Sequence, residues 1–88
     1  MPTIHFPQSE PVHTASTTVA FEAVIDGVRA SGEISAEALQ DHFGAASFAS
    51  ADLLRAFSAN RPAIEAVART KLPARLAAGR GLLLSADF

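Results

Sequence analysis

An Asp26-Gly27 step between two alternating segments restricts the fold of this chain more than any other feature of its sequence. Asp-Gly tolerates the consecutive positive φ angles of a two-residue hairpin turn, whose twist matches that of the strands it joins. Before the turn, Val19, Phe21, Ala23 and Ile25 alternate with more polar neighbours. Folding about Asp26-Gly27 sets Ile25 against Val28, Ala23 against Ala30, Phe21 against Gly32 and Val19 against Ile34. Every pair on that face is apolar or glycine, and a one-residue slip would turn the whole set over, so pattern and turn specify one register. Phe21 opposite Gly32 also covers backbone that glycine leaves bare. The other face, with Glu22, Arg29, Ser31 and Glu33, reads as the wetter one.

The flanks read as one strand before the hairpin and three helices and a strand after it. Ile4 and Phe6 alternate with Thr3 and His5 as a short edge strand, and Pro7 and Pro11 bracket a loop. Ser35 is a helix N-cap, Ile34 and Leu39 stand at staple positions, and Gly44 is a natural stop. Ser50 is expected to cap a second helix carrying Leu53, Leu54 and Phe57, with Asp52 favourable in its first turn. Asn60-Arg61-Pro62 reads as a break and restart. The third helix is expected to bury Ala63, Ile64, Val67 and Ala74 and to pair Glu65 with Arg69. Pro73 predicts a kink or break near residues 70–73. Gly79-Arg80-Gly81 reads as a turn, and Leu82, Leu84, Ala86 and Phe88 as the inward face of a final strand. After so long a helical excursion that strand can lie parallel to a hairpin strand. The expectation is a single α+β domain over residues 1–88: a small, mostly antiparallel sheet with two or three helices on one face and a C-terminal strand returning to it.

Several function classes fall away on composition. With no cysteine in 88 residues, disulfide scaffolds and thiolate chemistry are excluded. The opening Met1-Pro2-Thr3-Ile4-His5 lacks a leader pattern, and no apolar run approaches membrane-spanning length, which points to the cytoplasm. Six arginines against one lysine, with abundant alanine, suggest a GC-rich bacterial genome. Charge is uneven: residues 1–52 carry Arg29 against seven acids (1 − 7 = −6), and residues 53–88 carry six bases against Glu65 and Asp87 (6 − 2 = +4). Either the halves complement one another within the fold, or the C-terminal half offers a face to an anion or acidic partner.

Tests for chemistry return little. His5, His13 and His42 lack metal-ligand spacing and read as unrelated surface or cap residues, so no metal and no cofactor is expected. Asp41 and His42 are adjacent on a helix and point about 100° apart, which prevents a face-to-face dyad. No nucleophile elbow is present, and the Gly79-Arg80-Gly81 loop runs from helix to strand, the wrong order for a phosphate cradle. The basic half carries only Phe57 and Phe88 as aromatics, which argues against nucleic acid. No catalytic residue is assigned. The cluster that remains is Asn60, Arg61, Arg69 and Arg75, a candidate anion or partner face on or beside the third helix. Arg61 in a first helical turn opposes the helix dipole unless an acidic neighbour or anionic ligand offsets it.

The segments "VAFEAVIDG", "EALQDHFGA", "LLRAF", "NRPAIEAVAR" and "LLLSADF", in this order over residues 19–88, resemble the short bacterial domain-of-unknown-function family numbered one-four-eight-eight. The resemblance implies a compact α+β domain and carries no activity, ligand or site residue with it. Pro73 in "TKLPARLAAGR" departs from the plain helix expected of the family there, which leaves the end of the third helix open. The functional expectation is a non-enzymatic interaction module that binds an unknown protein partner or itself as a homodimer, through apolar surface and open sheet edges. The alternative is a small-molecule or anion-binding regulator using the third-helix arginines.

Overall fold

The computed structural model describes residues 3–15 and 17–88. Met1 and Pro2, part of the opening read above for a leader pattern, lie outside them. Strand β3 (Thr18–Ile25) and strand β4 (Val28–Ser35) form the hairpin, with the four inward pairs in the register expected from the sequence. Asp26 and Gly27 take φ of 52° and 82°, as a type I′ turn requires. Asp26 also accepts a 2.8 Å bond from the Thr3 amide, tying the turn to the N-terminal segment. Two short strands, β1 (Ile4–His5) and β2 (Val12–His13), pair antiparallel with opposite ends of β3. β2 was not anticipated, because two residues give no alternation to read.

Helix α1 (Ala36–Phe43) starts at Ser35, whose hydroxyl accepts from the Ala38 amide at 3.2 Å, and stops at Gly44, left-handed with φ 75°. Helix α2 (Ser50–Ala59) starts one residue earlier than expected, with Ala49 rather than Ser50 at the cap. Ser47 does the capping work instead: its hydroxyl accepts from the Ala49 amide at 3.1 Å and donates to Asp52 at 2.6 Å. Helix α3 (Arg61–Lys71) restarts at Pro62 and gives way to a 3-10 turn, Leu72–Arg75, so Pro73 ends the regular helix as its ring demands. The buried stripe of α3 is Ile64 and Ala68, continued by Leu72; Ala63 and Ala74, expected inside, are exposed.

The last strand departs most from expectation. β5 (Arg80–Leu83) runs parallel to β4, with the parity opposite to that of a Leu82-Leu84-Ala86-Phe88 face. Gly81 and Leu83 point into the core, while Leu82 and Leu84 point out. Gly81 dictates this, because a Cβ there would lie 2.6 Å from a Leu72 methyl group. A second 3-10 turn, Ser85–Asp87, then replaces the expected strand continuation.

The sheet order is β1-β3-β4-β5, with β2 beside β3, and the three helices cover the face bearing Val19, Phe21, Ile34 and Leu83. Phe57, Leu39, Leu53, Ile64 and Leu72 are fully buried against it. Each such side chain stabilises by roughly 1.5–3 kcal/mol relative to exposure. Phe21 sits between Phe6 and Phe57, with ring centroids 6.1 and 5.4 Å away. His13, read as a surface or cap residue, has its Nε2 buried without a hydrogen-bond partner among the described residues, because its register opposite Val19 turns it inward.

Candidate functional site

The four residues singled out on the third helix do not converge. Asn60 donates to the Ala56 carbonyl at 2.9 Å and to the Phe43 carbonyl at 3.3 Å, so it closes the ends of α1 and α2. Arg61 donates to the carbonyls of Ser9 (2.9 Å) and Pro7 (3.2 Å) and to Glu65 (2.9 Å), with its guanidinium carbon 5.3 Å from the centre of the Phe57 ring. Glu65 thus supplies the acidic neighbour that the helix dipole asks of Arg61. The expected Glu65–Arg69 pair is replaced by this one, a turn upstream, and Glu65 also accepts from Gln8 at 3.0 Å. Arg69 reaches the Ile4 carbonyl at 2.7 Å and lies 5.4 Å from the Phe6 ring. Arg75 grips the Asp87 carboxylate through both terminal nitrogens and leans on the Leu82 carbonyl at 3.5 Å.

A shared role emerges from those partners. The outer strands of the sheet are β1 and β2 on one side and β5 on the other. Arg61 and Arg69 cover carbonyls of the N-terminal segment, and Arg75 covers one of β5. Both backbone groups of Arg80 bond Ala77, at 2.8 and 3.1 Å. Parts of the edges expected to be open, at β1 and β5, are therefore engaged by the chain itself, a recognised defence against strand-to-strand association.

What stays open is the outer face of the sheet, opposite the helices. Across it run Val12, Ala20, Glu33 and Leu82 in one row and Glu22, Ser31 and Arg80 in the next. Val12 is 61% exposed and Leu82 40%, and Leu84 follows at 49%. A shallow depression lined by Glu10, Val12, Ala20, Glu22 and Ser31 lies over one half, and a second, with Arg29, Ala78 and Gly79, over the other. Glu33, read as a wet position, is only 7% exposed: Thr18 donates to it at 2.6 Å and Arg80 at 2.6 and 3.1 Å. The Thr18 hydroxyl has one proton and gives it to Glu33, so the 2.7 Å contact between Thr14 and Thr18 runs with Thr14 as donor. The Thr18 hydroxyl first, and Arg80 next, hold the Glu33 carboxyl below its ordinary 4.5, against the opposing effect of burial.

A serine, a histidine and an aspartate do meet, at the C-terminal end. Ser85 donates to Asp41 at 2.8 Å and lies 3.3 Å from His42 Nε2. The wiring is wrong for nucleophilic catalysis. His42 Nε2 faces the Ser85 carbonyl at 3.0 Å, which requires a proton on that nitrogen, and the serine hydroxyl points to the aspartate rather than to a base. Asp41 and His42, unable to reach one another, both hold Ser85, and the His42 ring lies 5.9 Å from that of Phe88. The cluster fastens the C-terminal turn to α1. Ser85 stands 44 positions from Asp41 in sequence, and no local pattern announces the meeting. Among the described residues no three His, Asp or Glu side chains are placed to hold a metal ion, and no helix is long and apolar enough to cross a membrane.

The model of the family described as protein of unknown function (DUF1488) matches residues 4–84. The chain belongs to this family. The match runs from β1 past the end of β5, so the DUF1488 unit takes in the hairpin, all three helices and the whole outer sheet face. No curated protein and no solved structure matches the chain. Family membership thus assigns the fold unit without assigning a site. The outer face itself was read as the wetter one, but its exposed apolar residues were missed, because Leu82 was placed inside and Val12 was assigned to no element; the Gly81–Gly32 match across β5 and β4 is the one signal that could have set the parity.

Proposed function

We propose that this domain is a non-enzymatic protein-interaction module that docks its partner on the outer face of the sheet. The observation that carries this reading is the exposure of Val12 and Leu82 on a face whose other residues are small or charged, apart from the half-buried Val24. Exposed apolar side chains at the two ends of one row, on a flat sheet face, favour burial by another protein. The shallow depressions support a macromolecular partner rather than an enclosed small molecule. A bacterial, cytoplasmic setting goes with this reading, and recovery from a membrane or periplasmic fraction of the native host would overturn that part.

The test is site-specific photo-crosslinking in the native host, with the reactive group at position 82 and, as a control, at the exposed α3 position 63. The expected result is one identified protein adduct at 82 and none at 63, with the purified partner losing affinity for Leu82→Glu. Equal labelling at both positions, or none at 82, refutes the reading.

A further inference from the structure

The outer sheet face carries its charges in two halves. On the β2–β3 half lie Glu10 and Glu22. On the β4–β5 half lie Arg29 and the Arg80–Glu33 ion pair, so its net charge is that of Arg29, with the 65% exposed Arg80 side chain at its rim. Arg29 and Glu22 make only a loose contact, 3.8 Å long, with the arginine side chain 84% exposed. The apolar residues are divided in the same way: Val12 on one half, Leu82 on the other, in one row.

Such a face matches itself. A twofold axis along the strand direction, between β3 and β4, stacks two sheets while preserving rows and exchanging halves. It sets Leu82 of one copy over Val12 of the next and turns Arg80 toward Glu10. It brings Arg29 over Val24, beside Glu22. Each contact occurs twice, as an isologous interface requires. Beside the axis the small Ala20 and Ser31 of one copy face the ion-paired Glu33 and the half-exposed Glu22 of the other, so small side chains oppose long ones where the sheets approach most closely.

From this we infer that the occupant of the face is a second copy of this chain, packed sheet to sheet. The inference rests on the docking reading above. Strands of two, eight, eight and four residues, at about 3.3 Å per residue and about 4.8 Å per strand, present roughly 350 Å² per copy. The total of about 700 Å² falls in the range of weak, transient association, so the dimer is concentration-dependent rather than obligate.

The experiment is light scattering together with sedimentation equilibrium, from about 10 μM to about 1 mM, on the full chain. Wild type is expected to pass from monomer to dimer in this range. Leu82→Glu and Val12→Glu each bury two carboxylates per dimer and are expected to weaken association at least about 100-fold. Ala63→Glu, on the helical side, should leave it unchanged. Circular dichroism confirms that each variant is folded, and Val12→Glu serves if Leu82→Glu is not. Monomeric wild type throughout, or a dimer indifferent to both substitutions, overturns the second-copy assignment. The crosslinking separates the outcomes: an adduct at position 82 with a different protein retains the docking face and removes the homodimer, whereas no adduct removes both.

Discussion

Replacing Gly32 by alanine tests whether the hairpin register is fixed by contact or merely by pattern. A Cβ at position 32 would lie 2.6 Å from Phe21 Cζ and 2.7 Å from Cε2, where ordinary contact begins at 3.4 Å. The ring must therefore withdraw by about 0.8 Å (3.4 − 2.6). It has little room to do so, since Phe21 is 3% exposed and held between Phe6 and Phe57. Overpacking of this kind costs about 1–3 kcal/mol. Alanine recovers about 0.5–1 kcal/mol of backbone entropy relative to glycine in a strand. The net expectation is a loss of about 1–2 kcal/mol, which lowers the melting temperature by about 5–15 °C for a domain of this size. Thermal melts and urea titrations followed by circular dichroism measure it directly, the chain having neither Trp nor Tyr. In Phe21→Leu the colliding Cε and Cζ atoms are gone, so the double variant should be more stable than the sum of the singles predicts, by about 1 kcal/mol. A Gly32→Ala variant as stable as wild type, or strict additivity with Phe21→Leu, refutes the argument.

Other expectations concern single contacts. Arg75 first, and the Leu84 amide next, pull the Asp87 carboxyl from 3.8 down to about 2, and Glu33 is lowered as well. Folded pKa values below the unfolded ones mean stability that is present above pH about 4.5 and lost as pH falls toward 2, so the melting temperature should drop across that window and drop less in Asp87→Asn. Ser35→Ala should cost about 1 kcal/mol, and Ser47→Ala more than Ser50→Ala, because Ser47 rather than Ser50 bonds the start of α2; equal effects at 47 and 50 would contradict the capping geometry. His13→Leu removes a buried, unpartnered nitrogen and should raise stability by about 1 kcal/mol in the same melts; a loss would mean that the imidazole is satisfied in solution.

The parts of the fold written locally were legible. Asp26-Gly27 with its alternating flanks fixed eight cross-strand partners, and Ser35 and Gly44 marked the ends of α1 where they stand. Pro62 and Pro73 marked the restart and the end of α3 for a steric reason that acts at one residue. The parity of β5 was not legible, because Leu82-Leu83-Leu84 suits either face by composition. It is decided by the Leu72 side chain lying against Gly81, a contact between distant segments. The burial of Glu33 likewise depends on Arg80, 47 positions away, arriving to pair with it. As for the candidate site, the arginines were found by sequence, but their acceptors were not, since main-chain carbonyls of an edge strand have no residue signature.

The pairing of β5 with β4 spans far more of the chain than any other strand pair of the sheet. Ser31 pairs with Arg80, 49 positions on (80 − 31), whereas the hairpin closes over two residues. The loop-closure entropy opposing the β4–β5 pairing is therefore larger than that opposing the hairpin. Without β5 the outer edge of an eight-residue strand would be bare, the kind of edge that invites pairing with another chain. The Arg80–Glu33 ion pair and the 2.8 Å bond from the Ser31 amide to the Gly79 carbonyl are the contacts that tie the start of β5 to β4, so the closing of that long excursion rests on one charged pair and its neighbouring ladder.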